Sequence, residues 1–406
     1  MASILIKEGK VTMKIAVIGG AGLMGPIIVR DLSENPDVRE ILVADYQGKK
    51  AEELAASFRD SRIKGAFVDA YDIDKTASLI EGYDAVINSA IYYVNLSIMQ
   101  ACLKAGCHYN DLGGMFHTSL KQLEFFDDFK KAGLTALLGI GSAPGVTNIL
   151  ARYAYDRLDK VDIVRVSSAG VDLTDTKGID VFKPGYSIRT IMEEFTDDAV
   201  EFIDGEFKTL PALSGIEETS YPEPIGRCIC FHTLHSEPAT IPASFKDKGV
   251  REVTWKLGLP AKFVEGAKFL ASLGLGSKEL IKIQDMEVVP LDVLAAVVDK
   301  QVKDKLEGVE LKPNIIRARH AQVIGERNGK KIEYVLDCIS GVHSRWGAHC
   351  ATQVPPSIAA QMQVEGMIKE PGVWAPEQVI DPEYFFAELA KREMHVQVMV
   401  KEELTK

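Results

Sequence analysis

The sequence predicts an α/β protein: a doubly wound parallel sheet, with a second α+β domain built on a mostly antiparallel sheet. Two observations carry this prediction. In the first third of the chain, short apolar runs alternate with amphipathic segments, which is typical of parallel strands joined by helices. After about residue 150, strand-like stretches end in an Asn-Gly hairpin signal, which indicates antiparallel pairing. We therefore place a first domain at residues 13–150, completed by residues 352–406, and a second at residues 151–351.

The first domain opens with an apolar strand and a glycine-rich turn. The strand Lys14–Ile18 precedes Gly20, Gly22 and Gly25 in the spacing G-x-G-x-x-G, and we expect a helix over Leu23–Leu32. Glycine at these positions allows a tight turn and lets a pyrophosphate approach the helix N-terminus closely. The sequence therefore predicts a dinucleotide-binding domain of the Rossmann type.

The same alternation continues to about residue 140. We expect strands at Ile41–Tyr46, Lys64–Asp69, Tyr83–Asn88, Cys107–Asp111 and Leu134–Gly139. We expect helices at Ile73–Ile80, Asn95–Lys104 and Leu120–Lys131. Because ligands of such sheets lie beyond the carboxyl ends of the strands, the loops that follow these strands should line the cofactor site.

Asp45 ends the second strand, 20 residues after Gly25, where Rossmann sites place an acid that binds the adenosine ribose. A carboxylate there repels a 2′-phosphate, so the sequence predicts NAD in preference to NADP. The predicted cofactor-binding residues are Gly20, Gly22, Leu23, Met24, Gly25, Asp45, Asp69, Asn88, Ser89, Ala90, Ala143 and Pro144.

The second domain has its own set of predicted elements. We expect strands at Val161–Asp172, Arg227–Leu234, Arg251–Gly258, Asn314–Glu326 and Lys331–Ile339, the last two joined through Asn328-Gly329. We expect helices at Tyr186–Glu194, Ala261–Leu273 and Leu291–Leu306. Two C-terminal helices, Ser357–Ile368 and Asp381–Arg392, are expected to pack back on the first domain.

Composition narrows the class of protein. The 406 residues are 46% hydrophobic and carry a net charge of −11, which disfavours nucleic acid and anionic membranes as partners. The chain has no apolar run long enough to span a membrane, and residues 1–12 do not form a secretory signal. Six scattered cysteines indicate reduced thiols. We expect a cytoplasmic protein that acts on a small molecule.

Several segments, taken in order, carry a specific resemblance: "IGGAGLMG", "CHYNDLGG", "GIGSAPGVTNILA", "YSIRTIMEEFTDDAVEFIDGEF" and "FHTLHSEPATIPASF". Together they resemble the saccharopine dehydrogenase-like superfamily, and within it the lysine 6-dehydrogenases. The resemblance implies a homodimer that oxidises the side-chain amine of a lysine-like substrate with a nicotinamide cofactor. Two alternatives remain open: reductive amination of the saccharopine or carboxynorspermidine type, and a non-catalytic NAD-binding sensor.

Amine oxidation itself dictates part of the site. Hydride departure needs a neutral nitrogen, yet a lysine amine has a pKa of about 10.4, so a base must remove a proton and a cation should hold the substrate carboxylate. The resemblance implies that Asp111 contacts the amine, although an N-cap is the alternative interpretation. We predict His235 as the proton acceptor. The predicted substrate-binding residues are Lys183, Tyr186, Arg189, His232, Ser236, Glu237, Gly113 and Gly114.

The segment "CICFHTLH" raises the alternative of a metal site. Cys228, Cys230, His232 and His235 are soft ligands, but alternate residues on a strand stand about 6.6 Å apart. Two thiolates on one zinc ion lie at most about 4.6 Å apart. The spacing therefore predicts no metal.

Overall fold

The computed structural model describes residues 12–341, 345–347 and 349–403. The segment that we interpreted as carrying no secretory signal lies outside these residues, except for Thr12. The chain divides into two units, Met1–Gly145 with His349–Ile380 and Val146–Ala348 with Asp381–Lys406, in each case for the residues that are described. The two are called the first and second unit below.

The strands are numbered in chain order. They are β1 (Met13–Ile18), β2 (Val38–Asp45), β3 (Ile63–Phe67), β4 (Ala85–Asn88), β5 (His108–Asp111), β6 (Thr135–Leu137), β7 (Lys160–Asp172), β8 (Ala199–Ile203), β9 (Glu206–Leu210), β10 (Glu217–Ser220), β11 (Arg227–Phe231), β12 (Glu252–Gly258), β13 (Ile281–Ile283), β14 (Met286–Val288), β15 (Ile315–Arg327), β16 (Lys330–Ser340), β17 (Gly372–Trp374) and β18 (His395–Glu402).

The helices follow the same numbering. They are α1 (Gly25–Glu34), α2 (Gly48–Ser57), α3 (Ile73–Ile80), α4 (Asn95–Ala105), α5 (Met115–Leu123), α6 (Phe126–Ala132), α7 (Val146–Tyr155), α8 (Ile188–Thr196), α9 (Glu237–Ser244), α10 (Ala261–Ser272), α11 (Pro290–Leu306), α12 (Cys350–Val364), α13 (Pro376–Val379) and α14 (Pro382–Lys391). Among the described residues, no helix combines the length and apolar character needed to cross a membrane.

The first unit contains a parallel sheet with the strand order β17-β6-β5-β4-β1-β2-β3. Successive side chains of β1 point to opposite faces, and both faces are apolar. Ile15 and Val17 pack in a core that includes residues of α1, α2 and α12, whereas Ala16 and Ile18 pack in a core that includes residues of α3, α4 and α6. Helices thus cover both faces, and the predicted doubly wound sheet is confirmed.

The second unit contains a mixed sheet with the order β10-β11-β12-β7-β15-β16-β18, and β8 and β9 join it through β12. The β7–β12 pair is parallel, while the others are antiparallel. Asn328 and Gly329 both have positive φ, 53° and 73°, as a two-residue hairpin turn between β15 and β16 requires. The predicted α+β class of this region is confirmed.

The C-terminal segment divides differently from our expectation for residues 352–406. His349–Ile380 belongs to the first unit, where α12 contacts α1, β4 and β5, but Asp381–Lys406 belongs to the second. There β18 pairs antiparallel with β16, and α14 contacts α7 and β18. The reason lies in the pattern HVQVMVKE, a strand that takes its backbone hydrogen bonds from the open edge of β16.

Candidate active site

The loop between β1 and α1 is the first part of the candidate site. A Cβ on Gly25, the first residue of α1, would lie 1.9 Å from the carbonyl oxygen of Gly20. Gly19 has a φ of +75°, and a Cβ there would lie 2.6 Å from the backbone nitrogen of Ala90. The left-handed residue of this turn is therefore Gly19, which precedes the predicted G-x-G-x-x-G spacing. Gly22 donates its N–H to the Gly19 carbonyl at 3.0 Å and closes the loop.

The carboxylate of Asp45 faces this glycine loop. Its Oδ2 accepts a hydrogen bond from the Ala21 N–H at 3.1 Å, and Oδ1 accepts one from the Gln47 N–H at 2.9 Å. Beside it, the exposed rings of Tyr46 and Phe67 lie with centroids 5.7 Å apart. An acid next to a bare loop and an aromatic surface suits a ribose and its adenine base, so these residues fit a dinucleotide.

The loop after β4 packs against the same turn. Ser89 donates its side-chain hydroxyl to the Ile18 carbonyl at 2.9 Å, and Ala90 lies against Gly19. Asn88, predicted to bind the cofactor, is buried: its Oδ1 accepts from the Ala90 N–H at 3.0 Å and its Nδ2 donates to Asn95 at 2.7 Å. Asn88 therefore shapes the loop with its side chain.

The remaining predicted cofactor residues are spread over this edge of the sheet. Leu23 is exposed, and its carbonyl accepts a hydrogen bond from Gln353 of α12 at 2.9 Å. Asp69 follows β3 and accepts the Tyr71 N–H at 3.1 Å. Pro144, which follows Ala143 in a cis peptide bond, lies over Gly139. Met24 is the N-cap residue of α1.

Asp111 lies at the end of β5 and is 1% exposed. Five donors reach its carboxylate: Tyr109 Oη at 2.8 Å, Gln122 Nε2 at 2.6 Å, Asn95 Nδ2 at 3.2 Å, and the N–H groups of Gly113 at 2.9 Å and Gly139 at 2.7 Å. A carboxylate offers about four lone-pair sites, so this network saturates it. The finding differs from the expected amine contact, because the chain itself takes the acceptor capacity that an amine would need.

Gly113 and Gly114 belong to the same network. A Cβ on Gly114 would lie 2.7 Å from Gln122 Oε1, so a larger residue would disturb the side chain that bonds to Asp111. Gly114 is also the N-cap residue of α5. Burial raises the pKa of Asp111, while its hydrogen bonds oppose that rise. We assign the Asp111 cluster to holding the loops after β5 and β6.

In the second unit, His235 and Glu237 form a buried pair. His235 Nδ1 bonds to Glu237 Oε2, while Glu237 Oε1 accepts the Thr147 hydroxyl at 2.8 Å. The imidazole stacks on the Trp255 ring, with centroids 3.9 Å apart and planes inclined by 12°. The indole Nε1 of Trp255 donates in turn to Thr233 Oγ1 at 2.9 Å. The ring of His235 is thus fixed at its edge by a carboxylate and at its face by an indole.

Glu194 adds a second acid near His235. Its Oε2 accepts a hydrogen bond from the hydroxyl of Tyr186. Burial raises the pKa of Glu194 to about 7, although the positive charge of His235 acts to lower it. Burial opposes a charge on His235, but the carboxylates of Glu237 and Glu194 outweigh it and raise the pKa of the imidazole. Both pKa shifts favour the protonated forms of Glu194 and His235.

His232 lies two residues beyond Cys230 and has a different partner. Its Nδ1 lies 2.8 Å from Glu201 Oε1 and 3.1 Å from the Trp255 carbonyl oxygen. Glu201 also accepts the Trp255 N–H at 2.9 Å, and burial raises its pKa to about 7. Since both His232 and Glu201 hold the backbone of Trp255, we interpret this pair as support for the indole beneath His235.

Two family models match the chain. The saccharopine dehydrogenase NADP binding domain matches residues 15–137, and the saccharopine dehydrogenase C-terminal domain matches residues 141–394. The chain belongs to the saccharopine dehydrogenase family. Family members are NAD(P)-dependent oxidoreductases that act on amine groups, and the first unit of this chain is an NAD(P)-binding domain.

Curated relatives extend the match. The carboxyaminopropylagmatine dehydrogenase of Synechocystis sp. is 26% identical over 394 residues, which cover 92% of this chain and 95% of the relative. The carboxynorspermidine synthase of Vibrio cholerae is 26% identical over 303 residues, which cover 68% of this chain and 70% of the relative.

Solved structures share the fold. The apo saccharopine dehydrogenase (L-Glu forming) of Saccharomyces cerevisiae aligns with a TM-score of 0.71 at 16% identity and covers 96% of this chain and 100% of that one. The homospermidine synthase of Legionella pneumophila in complex with NAD aligns with a TM-score of 0.69 at 13% identity, covering 96% and 91%. The predicted resemblance to the saccharopine dehydrogenase-like superfamily is confirmed.

Of the side chains predicted to bind the substrate carboxylate, the two cations have other surroundings. Arg189 forms an ion pair with Asp292 of α11, and Lys183 is exposed. Tyr186 does reach the cluster, because its hydroxyl bonds to Glu194. Ser236 is buried as the N-cap residue of α9. Glu237 holds His235, a role different from the predicted substrate contact.

The sequence patterns do not point to several residues of the His235 cluster. Thr147, Glu194, Glu201 and Trp255 come from α7, α8, β8 and β12, and only the fold brings them to His235. One signal was available in the sequence. Glu194 comes three residues after Ile191, on the apolar side of the predicted helix Tyr186–Glu194, and an acid there is rarely buried without a partner.

The two cysteines of the candidate metal site lie close together, but the histidines have other partners. The sulfurs of Cys228 and Cys230 hydrogen-bond to each other near Gly258, whose Cβ would lie 2.8 and 2.9 Å from them, while His232 and His235 bond to glutamates. Within residues 12–341, 345–347 and 349–403, His, Cys, Asp and Glu side chains form no group of three that would hold a metal ion.

Proposed function

We propose that the protein is an NAD-dependent oxidoreductase acting on the carbon–nitrogen bond of an amine that carries an amino-acid carboxylate. The observation that carries the proposal is the buried His235–Glu237 pair stacked on Trp255. It supplies a positioned proton acceptor on the second unit of a chain whose first unit binds NAD(P).

The hydrogen bonds assign the tautomer of His235. Because Nδ1 faces the Glu237 carboxylate, Nδ1 carries the proton and Nε2 carries the lone pair. In the direction of oxidation, Nε2 takes a proton from the substrate ammonium and leaves a neutral nitrogen. Glu237 stabilises the imidazolium that forms, and the Thr147 hydroxyl orients Glu237. In the reverse direction, the same nitrogen returns the proton to the new amine.

The nicotinamide, when bound, accepts or donates the hydride. The residues of the first unit hold the cofactor: the loop from Gly19 to Gly25 admits the pyrophosphate and Asp45 binds the adenosine ribose. Although the matching family model is described as binding NADP, the Asp45 carboxylate would repel a 2′-phosphate. We therefore propose NAD as the preferred cofactor.

Two substrate classes fit the proposed chemistry. The relatives from Synechocystis sp. and Vibrio cholerae are named for secondary amines that carry a carboxylate, and they favour such a substrate. The lysine-like primary amine implied by the sequence resemblance is the second candidate. Oxidation of either substrate class needs a deprotonated amine nitrogen and the cofactor bound by the first unit.

The test is a substrate panel. Purified protein with NAD or NADP receives L-lysine, saccharopine, carboxynorspermidine or carboxyaminopropylagmatine, and the appearance of reduced nicotinamide is followed. We expect turnover of a secondary amine with a higher kcat/KM with NAD than with NADP. Tight NAD binding without turnover of any amine, in either direction, would contradict the proposal and favour a sensor.

We infer that the homodimer implied by the resemblance forms through the second unit. β18 is an edge strand of its sheet, and Val398, Met399 and Val400 are 42%, 58% and 46% exposed on it. Light scattering of the wild type and of Met399→Lys tests this: the wild type should have twice the chain mass, and the charged variant should dissociate. A monomeric wild type would refute the inference.

A further inference from the structure

The side chain of Arg317, on β15, lies against two glycine residues. A Cβ on Gly170, its direct partner on β7, would lie 2.9 Å from Arg317 Cγ, and a Cβ on Gly185 would lie 3.0 Å from Nη2. Nη2 also donates to the Gly185 carbonyl oxygen at 2.7 Å. Because neither glycine has a Cβ, the Arg317 side chain can lie against the backbone at both positions. Its guanidinium therefore lies beside the segment that precedes α8.

That path brings a positive charge to the His235 cluster. Gly185 directly precedes Tyr186, whose hydroxyl bonds to Glu194, and Glu194 interacts electrostatically with His235. Burial raises the pKa of Tyr186 well above its ordinary value, and the charge of Arg317 opposes that rise, as expected for close neighbours. Arg317 is half-buried, so its guanidinium is neither in the core nor on an open surface.

The register of the sheet gives the approximate distance between Arg317 and Trp255. Trp255, beneath His235, pairs with Val166 of β7, whereas Arg317 pairs with Gly170 of the same strand. Four residues along β7 correspond to about 13 Å, and two strand spacings add about 10 Å across the sheet. The two side chains therefore start far enough apart to bind the two ends of an extended ligand.

We propose that Arg317 binds the carboxylate of the substrate while the reacting nitrogen lies at His235. The inference rests on the proposed function for its substrate class, an amine with an amino-acid carboxylate. A guanidinium presents two parallel N–H groups that match a carboxylate, and a partly buried pair of this kind is among the stronger hydrogen bonds. Its neighbour Arg319 is 1% exposed and donates to Ser340 Oγ at 2.8 Å, a structural role.

Binding measurements separate this residue from the reaction. Protein saturated with NADH, which cannot oxidise either ligand, is titrated calorimetrically with carboxynorspermidine and with norspermidine, its analogue without the carboxylate. We expect the wild type to prefer carboxynorspermidine. Arg317→Met should weaken carboxynorspermidine binding about 10- to 100-fold and norspermidine binding less than about twofold.

Two further variants distinguish a specific loss of carboxylate binding from misfolding. Arg317→Lys keeps the charge and the aliphatic stem over Gly170 but loses the fork, so its affinity for carboxynorspermidine should lie between those of the wild type and Arg317→Met. Arg165→Met is the matched control: Arg165 lies on β7, pairs with Glu252 at 2.7 Å, and should bind both ligands as the wild type does.

Each outcome decides the question. Equal weakening of both ligands, no weakening, or a wild type without preference for the carboxylate would overturn the role of Arg317. The proposed function stands or falls separately on the turnover of the wild type. A carboxylate preference that Arg317→Met abolishes, in a protein that oxidises no amine, would keep this inference and refute the proposed function.

Discussion

Asp111 in the first unit and Glu237 in the second are both buried carboxylates, but their partners differ in kind. Asp111 accepts from two backbone N–H groups, two amides and a phenol whose pKa lies well above its ordinary value. Glu237 accepts from a hydroxyl and from His235, whose pKa the Glu237 charge raises. Fixed donors suit a carboxylate to holding loops in place, whereas an imidazole partner suits it to controlling a proton.

Replacing His235 should give the largest effect. His235→Gln keeps the volume and the stack on Trp255 but cannot accept a proton, so kcat for amine oxidation should fall about 10²- to 10⁴-fold. Steady-state kinetics and a melting curve measure the loss of activity and the retained fold. His320→Gln is the control, since His320 pairs with Asp337 at 2.9 Å elsewhere in the second unit and should retain activity. A His235 variant within tenfold of the wild type would remove the proton acceptor from the mechanism.

Asp111→Asn should instead cost stability. An amide leaves at least two of the five donors without an acceptor, and each buried unsatisfied donor costs about 1 to 3 kcal/mol. We expect the midpoint of denaturant unfolding of the first unit to fall, and the exposed Asp128→Asn to leave it unchanged. If Asp111→Asn melts like the wild type but loses turnover, the residue contacts substrate after all.

Asp45→Ser should change the cofactor preference. Removing the acid removes both the charge-assisted bond to the ribose and the repulsion of a 2′-phosphate. We expect KM for NAD to rise about 10- to 100-fold and the ratio of kcat/KM for NAD over NADP to fall. Asp128→Asn again serves as the control, and an unchanged ratio would show that the carboxylate does not face the ribose.

Glu237→Gln should shift a pH profile, the smallest of these effects. Without the carboxylate, burial dominates and lowers the pKa of His235. Oxidation requires the neutral imidazole, so the rate rises as the pH passes upward through that pKa, and the rising limb should move to lower pH. Asp337→Asn, which removes the carboxylate beside His320, should leave the profile in place. A shift to higher pH would contradict the assigned proton path.

Local patterns predicted most of the first sheet. Apolar runs and the glycine spacing located β1 to β6, because a strand buried on both faces must be apolar throughout. They missed β17, whose three residues are too few for a periodic signal, and α9, where Pro238 and Pro242 interrupt the helical pattern. The sequence also missed β9 and β10, because these short and largely exposed strands carry little apolar alternation.

The candidate site was predicted unevenly. Gly25 and Asp45 could be assigned to one predicted cofactor site because the turn and the acid lie on consecutive elements, where chain geometry fixes their distance. His235 was selected as one histidine among several, and its partners Glu194 and Thr147 were not found, because they come from segments 41 and 88 residues away. Arg317 lies 82 residues away, and only the pairing of β15 with β7 brings it to this face.

The sequence by itself therefore determined the fold class and the dinucleotide loop, since both follow from local backbone constraints and from the period of apolar residues. Tertiary structure alone decided which buried acid is surrounded by fixed donors and which is bound to an imidazole. That distinction depends on the donors that surround each carboxylate, and strand order and helix packing bring those donors together from distant parts of the chain.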